Sequence, residues 1–455
     1  MSEASFFGDL LQTIAERGRR LLALGGGDGG ARPQDMRTLC DTLLSSRGEA
    51  SGIALAKAVL DRWTRASEEE RRDFMTMLLE QYGPDEVALG QAIAAYQAAP
   101  SPPTAQALHG ASESRRLELL RRLNLAPEGM STLVRMREAL LRMKADAPAL
   151  GVVDDDFAHL FTSWFNRGFL VLRPIDWATP ANVLEKIIRY EAVHEIRDWD
   201  ELRRRVEPTD RRCFAFFHPR LIDEPLIFVE VALTTTMPAT VEEVLDPARA
   251  PIRAEEANAA VFYSISNCQH GLRGVSFGNF LIKQVVEDLR RDLPELSTFV
   301  TLSPVPGFAA WLARETQGDG SPTLSAEDRA LLAEADDRGW VDDEAKVERL
   351  KPVLTRACAS YLLNARNPRG GVADPVARFH LGNGARLERV NFLADRSARA
   401  GRQAHGMMVN YLYELDEIEA NHEAFFARGE VVASSSVRRL APRGRPVTAD
   451  ATPAR

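Results

Sequence analysis

The chain has 455 residues, 45% of them hydrophobic and 27% charged, with a formal net charge of -8. That length suggests two or three domains with ample material for large cores. The acidic balance argues against nucleic acid or an anionic membrane surface as the main partner, because both select a basic face.

The N-terminal stretch MSEASFFGDLLQTIAERGRRLLAL is amphipathic, with Phe6, Leu10, Ile14 and Leu21 on one stripe. Its acids Glu3, Asp9 and Glu16 speak against a transit or secretory signal, so cytoplasmic residence is the expectation. No run reaches the ~20 apolar residues of a membrane span. Apolar residues at three- and four-residue spacing continue through the first third. They predict helices over Asp73–Tyr82, Glu86–Gln97, Glu113–Leu125 and Ser131–Met143. Breakers such as Pro100-Ser101-Pro102-Pro103 separate them. An up-and-down helical bundle over residues 1–170 is the simplest architecture.

Beyond residue 165 the pattern changes. Helices are predicted at Pro180–Tyr190 and Trp199–Val206. The β-prone runs Cys213–His218, Leu226–Leu233, Ala259–Ser266 and Thr298–Leu302 read as strands. A helix, Phe280–Arg291, lies between the last two. Strand, turn, helix, strand implies that they are parallel. Residues 318–330 read as a loop, followed by a helix Glu344–Asn364 and a second loop over Asn367–Gly371. Next come a short apolar element Val376–His380, a strand-like run His405–Leu415 and a helix Glu417–Arg428. From Ala441 the Pro/Arg/Ala-rich tail reads as disordered.

Cys40, Cys213, Cys268 and Cys358 form no metal-spaced pair or cluster, so they read as buried thiols rather than as zinc ligands or disulfides. The segment from Asn267 to Asn279 is more informative. Gly271, Gly274 and Gly278 would let a ligand approach backbone N–H groups just where a helix begins. Arg273 would add a charge at the rim. It is neither a P-loop nor a dinucleotide fingerprint. The pattern Arg-Gly-x-x-x-Gly before a helix resembles the pyrophosphate turn of the N-acetyltransferase superfamily. An ordinary glycine-rich connection is the alternative.

Ser303 follows the last predicted strand of the βαβ unit. It lacks the flanking glycines of a nucleophile elbow, which disfavours an acyl-serine. A helix cap near Pro306 is its bland role. His380 precedes a glycine-rich turn and could project from a rigid base. His270, His405 and His218 are weaker candidates.

Four segments in order, SISNCQHGLRGVSFGNFLIKQVV, FVTLSPVPGF, DPVARFHLGNGARLERVNFLAD and GMMVNYLYEL, resemble the malonyl-CoA decarboxylase family over residues 170–440. That resemblance implies a helical N-terminal domain tied to oligomerisation, as a dimer or tetramer. It also implies an acetyltransferase-like catalytic domain with a mixed sheet over 171–440, which leaves 441–455 as the tail already read from composition. The implied reaction turns malonyl-CoA into acetyl-CoA and CO2 without metal or organic cofactor. The implied catalytic pair is Ser303 and His380. The implied CoA-binding residues are Arg273, Gly274, Val275, Ser276, Phe277, Gly278, Asn279 and Ile282. Losing CO2 leaves an enolate that an acid must protonate, and a histidine titrating near neutrality would suit. An acyl-CoA N-acyltransferase or a CoA-binding scaffold would share the turn.

Overall fold

A computed structural model describes residues 35–441 apart from 46–47, 276–280, 318–322 and 336–337, together with 12–14 and 16–17. Most of the first amphipathic segment, the phosphate-turn residues Ser276, Phe277, Gly278 and Asn279, and the tail beyond Ala441 therefore lie outside the described residues. The chain divides into two compact units. One comprises Met1–Val171, Phe216–Ile227 and Asn267–Gly278; the other comprises Leu172–Ala215, Phe228–Ser266 and Asn279–Arg455.

Among its described residues the first unit is helical through Trp164, with helices that include Glu49–Arg65, Glu68–Gln81, Arg115–Asn124, Gly129–Met143 and Gly151–Trp164. Ser67 and Glu70 close a capping box at one start, as the Ser-Glu-Glu-Glu sequence would have it. Trp63, Phe74, Leu120, Leu133, Phe157 and Phe161 fill its core. The helix at Pro102–Ser112 starts directly on its two prolines, because the first turn of a helix needs no N–H donors.

The turn from Asn267 packs on this bundle. A Cβ on Gly271 would sit 2.0 Å from the carbonyl oxygen of Val134. Arg137 pairs with Asp154 at 2.7 Å and donates to the Gly271 carbonyl at 2.8 Å. Gly271 is thus a glycine for close packing against a helix, not for ligand approach. Gly274 does have the expected positive φ, +80°, and is exposed.

An eight-stranded sheet carries the rest. Its strands are β1 (Val171–Ile175), β2 (Arg211–Phe217), β3 (Pro225–Thr234), β4 (Ala259–Asn267), β5 (Thr298–Thr301), β6 (Ser303–Pro304), β7 (Arg386–Asn391) and β8 (Met408–Leu412). The order is β1-β2-β3-β4-β5-β8-β6, with β7 also on β8. β4 and β5 are parallel, from Ala259↔Thr298 to Phe262↔Thr301. The helix between them is Leu281–Asp292. β4 runs on to Asn267, beyond the last residue it pairs with β5. β8 lies antiparallel to β5, β6 and β7. The sheet is therefore mixed.

The short apolar element of His380 is the helix Pro375–Gly382: Asp374 accepts from the N–H groups of Val376 and Ala377, and Pro375 occupies the first turn. Two local readings change. His405 ends the short helix Ala398–Ala404 in the left-handed region, φ 49°, so only Met408–Leu412 of its segment is strand. Residues 318–330 include the start of a capped helix, Ala326–Leu332.

Gly384 lets the chain leave the Pro375–Gly382 helix for β7. Its φ is +81°, and a Cβ would lie 2.3 Å from the Ile418 carbonyl oxygen. Gly384→Ala is expected to cost roughly 1–3 kcal/mol, through backbone strain alone before the clash is counted. A thermal melt checks this, and an unchanged Tm would show that the turn tolerates a side chain.

Candidate active site

Strand geometry sends residues two apart to the same face. Thr301 and Ser303 share one face at the end of β5 and the start of β6, and Tyr411 and Tyr413, the latter just past the end of β8, share another. The Pro375–Gly382 helix brings His380 to them. His380 Nε2 lies 3.1 Å from Ser303 Oγ, and its Nδ1 lies 2.8 Å from the Tyr413 hydroxyl. The ring stacks on Tyr411 with centroids 4.6 Å apart and planes 23° apart. Ser303 Oγ also donates to Thr301 Oγ1 at 2.8 Å.

The two residues singled out in the sequence thus meet, 77 positions apart. Ser303 is not a helix cap: the next helix begins at Phe308, and its hydroxyl is engaged with Thr301 and His380.

His380 is 3% exposed. Burial pushes its pKa down from the ordinary 6.5 to about 3, with no opposing charge to lift it. The ring is neutral at pH 7, which corrects the expectation of a histidine titrating near neutrality. A neutral ring carries one N–H. Since Ser303 Oγ gives its proton to Thr301, the bond between Ser303 and His380 is donated by Nε2–H. Nδ1 then accepts from Tyr413 O–H. Burial pushes the Tyr411 and Tyr413 phenols well above 10, so both remain protonated.

Asp374 joins the two segments that carry the pair. It caps the His380 helix and accepts from Gly307 N–H and from the Tyr361 hydroxyl, both at 3.4 Å. A Cβ on Gly307 would lie 2.2 Å from that hydroxyl. Glycine is what allows the turn after Val305-Pro306 to close on the aspartate.

The other candidates lie elsewhere. His270 is exposed in a 3-10 turn, His405 sets its ring edge-on to Phe308, and buried His218 accepts from Arg220 N–H at 3.1 Å. All four cysteines are buried. Of the phosphate-turn residues that are described, Arg273 and Gly274 are exposed, while Val275 and Ile282 are buried. Among the described residues no group of three or more His, Cys, Asp or Glu is placed to hold a metal ion. No helix among them is long and apolar enough to cross a membrane. Sequence reasoning missed Thr301, Tyr411 and Tyr413. Their signal was the period-2 spacing Thr301-x-Ser303 and Tyr411-x-Tyr413 in β-prone runs.

Comparison with known proteins matches both parts of the chain. The family model described as malonyl-CoA decarboxylase C-terminal domain covers residues 168–451, and the N-terminal domain model covers residues 82–165. The mitochondrial malonyl-CoA decarboxylase of Anser anser anser is 37% identical over 343 residues, 70% of this chain and 68% of that protein. The Mus musculus protein of the same name is 35% identical over 337 residues, 69% and 68% of the two chains. Among solved structures, malonyl-CoA decarboxylase from Rhodopseudomonas palustris superposes with a TM-score of 0.87 at 58% identity. It covers 90% of this chain and 100% of its own. The Agrobacterium vitis structure gives 0.86 at 60% identity, with the same coverage. Matched in both its helical and its sheet-bearing parts, at this identity and over this length, the chain belongs to the malonyl-CoA decarboxylase family.

Proposed function

We propose that this chain converts malonyl-CoA to acetyl-CoA and CO2, with Ser303 and His380 at the reacting carbons and the turn from Arg273 to Asn279 holding the CoA pyrophosphate. The observation that carries the reading is the buried, uncharged pair Ser303–His380. Breaking the C2–carboxylate bond of the malonyl thioester releases CO2 and leaves its electron pair as the thioester enolate. A dry pocket favours that step, because the carboxylate loses its charge and its hydration as CO2 departs. Ser303, its hydroxyl proton held on Thr301, lies beside the carboxylate and keeps His380 Nε2–H as the donor.

C2 must then receive a proton. His380 supplies it from Nε2–H while Nδ1 takes the Tyr413 O–H proton, so no imidazolium forms. As a proton from solvent reaches Nε2, Nδ1–H returns its proton to the Tyr413 oxygen, which resets the Nε2–H tautomer, and the net change is one proton taken up for each CO2 released. On the CoA side, exposed Arg273 and the positive φ of Gly274 suit a phosphate-binding turn.

The N-terminal helices support self-association. The helices Glu86–Ala98 and Pro102–Ser112 bury no residue, and Val87, Ile93 and Tyr96 of the first are exposed. We assign this hairpin to a homo-oligomer, dimer or tetramer. Val87→Glu with Tyr96→Glu should lower the mass seen by light scattering. An unchanged mass would move the interface elsewhere.

Malonyl-CoA given alone should yield acetyl-CoA and CO2 in equal amounts. An N-acyltransferase would give no product without an amine, and a scaffold would return malonyl-CoA intact. His380→Ala should lower kcat by about 10²-fold or more while leaving CoA affinity unchanged. Arg273→Ala should raise KM with little change in kcat, having removed binding common to ground and transition states.

The depressed pKa sets the pH dependence. His380 is protonated more readily unfolded, at 6.5, than folded, at about 3. Its contribution to stability is complete above pH 6.5 and is lost as pH falls from 6.5 toward 3. Over the range about pH 5 to about pH 8, kcat should show no limb from this imidazole. A limb near 6.5 that vanishes in His380→Ala would show that the ring carries charge during turnover.

A further inference from the structure

The ladder between β5–β6 and β8 is open at one place, and side chains close it. β5 pairs with β8 at Val300↔Leu412, and β6 pairs with it at Ser303↔Val409. Val300 to Ser303 and Leu412 to Val409 are three steps each, so no residue is inserted. Yet Thr301 and Leu302 make no ladder pair with β8, and the Leu302 N–H turns instead to the Phe262 carbonyl of β4 at 3.0 Å. That bond belongs to the parallel Phe262↔Thr301 pair, so the chain is held to β4 where its ladder to β8 opens. The β8 groups opposite would otherwise be stranded.

The side chains of Thr301 and Asn410 bridge the gap, one from each strand. Tyr411 N–H donates to Thr301 Oγ1 at 3.1 Å. Asn410 Nδ2 donates to the Thr301 carbonyl at 2.8 Å. Asn410 is itself fixed: its Oδ1 accepts from Asn391 Nδ2 at 2.7 Å and from Arg389 Nε at 3.0 Å. Both Thr301 and Asn410 are fully buried. The same Thr301 Oγ1 accepts the Ser303 hydroxyl proton.

We infer that Thr301 is a positioning residue for decarboxylation: it ties Ser303 to the β8 backbone and fixes which way the proton chain through Ser303 and His380 points. The chain runs from Tyr413 O–H to His380 Nδ1, from Nε2–H to Ser303 Oγ, and from Ser303 O–H to Thr301 Oγ1. Tyr411 N–H takes one lone pair of Thr301 Oγ1 and the Ser303 hydroxyl proton takes the other, so Oγ1 is held in place as the acceptor at the end of the chain and its own O–H points away from Ser303. With that acceptor absent, the Ser303 hydroxyl proton would turn to Nε2, and the ring would present a lone pair where the enolate needs a donor.

The inference rests on the Ser303–His380 reading, and the experiment separates the two. Thr301→Val keeps the shape and removes the acceptor. It should lower kcat by about 10²-fold, the cost of a misplaced catalytic group, with KM for malonyl-CoA and CoA affinity unchanged. Thr301→Ser restores the acceptor and should bring kcat back to within a few-fold of the original. If Thr301→Val does not fold, judged by lost CoA binding, Thr301→Cys replaces it with a poor acceptor of similar size and should show the same loss of kcat. Full activity in a folded Val or Cys variant overturns the inference, as does a Ser variant as slow as the Val variant. Ser303→Ala and His380→Ala are measured alongside. If they stay active, the pair itself has been misassigned; if they are inactive while Thr301→Val is not, only the role of Thr301 fails.

Discussion

A buried imidazole with no counter-charge cannot hold a second proton, and the rest of the site is arranged around that constraint. His380 has neutral groups on every side: a serine, a phenol and a stacked tyrosine. Each of its nitrogens has one partner, so the ring is satisfied without ionising. Elsewhere the same fold buries charge by pairing it. Glu230 meets Arg205 at 3.1 Å, and Arg205 also bonds Glu201. Burial still pushes the Glu230 carboxyl up to about 8. Those are opposite solutions to one desolvation problem. Only the uncharged one leaves room for a substrate that brings a charge of its own.

The backbone makes that arrangement possible through a few tight contacts. Asp374 holds the start of the His380 helix against the turn after Ser303, and Gly307 is the residue that lets them meet. Gly384 then turns the chain into β7 beneath the Ile418 carbonyl. Burial raises the pKa of Asp374 although it accepts four hydrogen bonds. It acts on the pair through geometry, since charge at that carboxylate contributes nothing to the low pKa of His380.

Much of this was legible in the sequence where local physics decides the outcome. The helical first third, the parallel β4–β5 unit and the Ser303 and His380 segments follow from periodicity, turn residues and motif order. The misses have physical causes. β7, Arg-Leu-Glu-Arg-Val-Asn, is too polar to read as a strand, and it exists because β8 gives it a partner along its length. β1 contains a proline and an arginine, composition that a sheet accepts at its edge. Val376–His380 is too short an apolar run to assign by periodicity, although Asp374-Pro375 is a sound helix start. The role of Gly271 could not be read, because the carbonyl it packs against belongs to Val134, far back in the chain. The depressed pKa of His380 needs three dimensions, since burial is a property of everything around a residue.

A charged histidine would be the simpler proton donor, and its absence bears on the chemistry. An imidazolium beside the malonyl carboxylate would form an ion pair in a dry pocket. That pair is strongest before CO2 leaves and vanishes as the carboxylate becomes neutral. It would stabilise the substrate more than the transition state, and so raise the barrier. A neutral Nε2–H interacts only modestly with the carboxylate. It gains strength as charge moves onto the enolate, where the proton is needed. The low proton affinity of His380 is then a requirement of the proposed reaction, and Tyr413 answers the need it creates, a second proton reaching the ring without the ring ever becoming a cation.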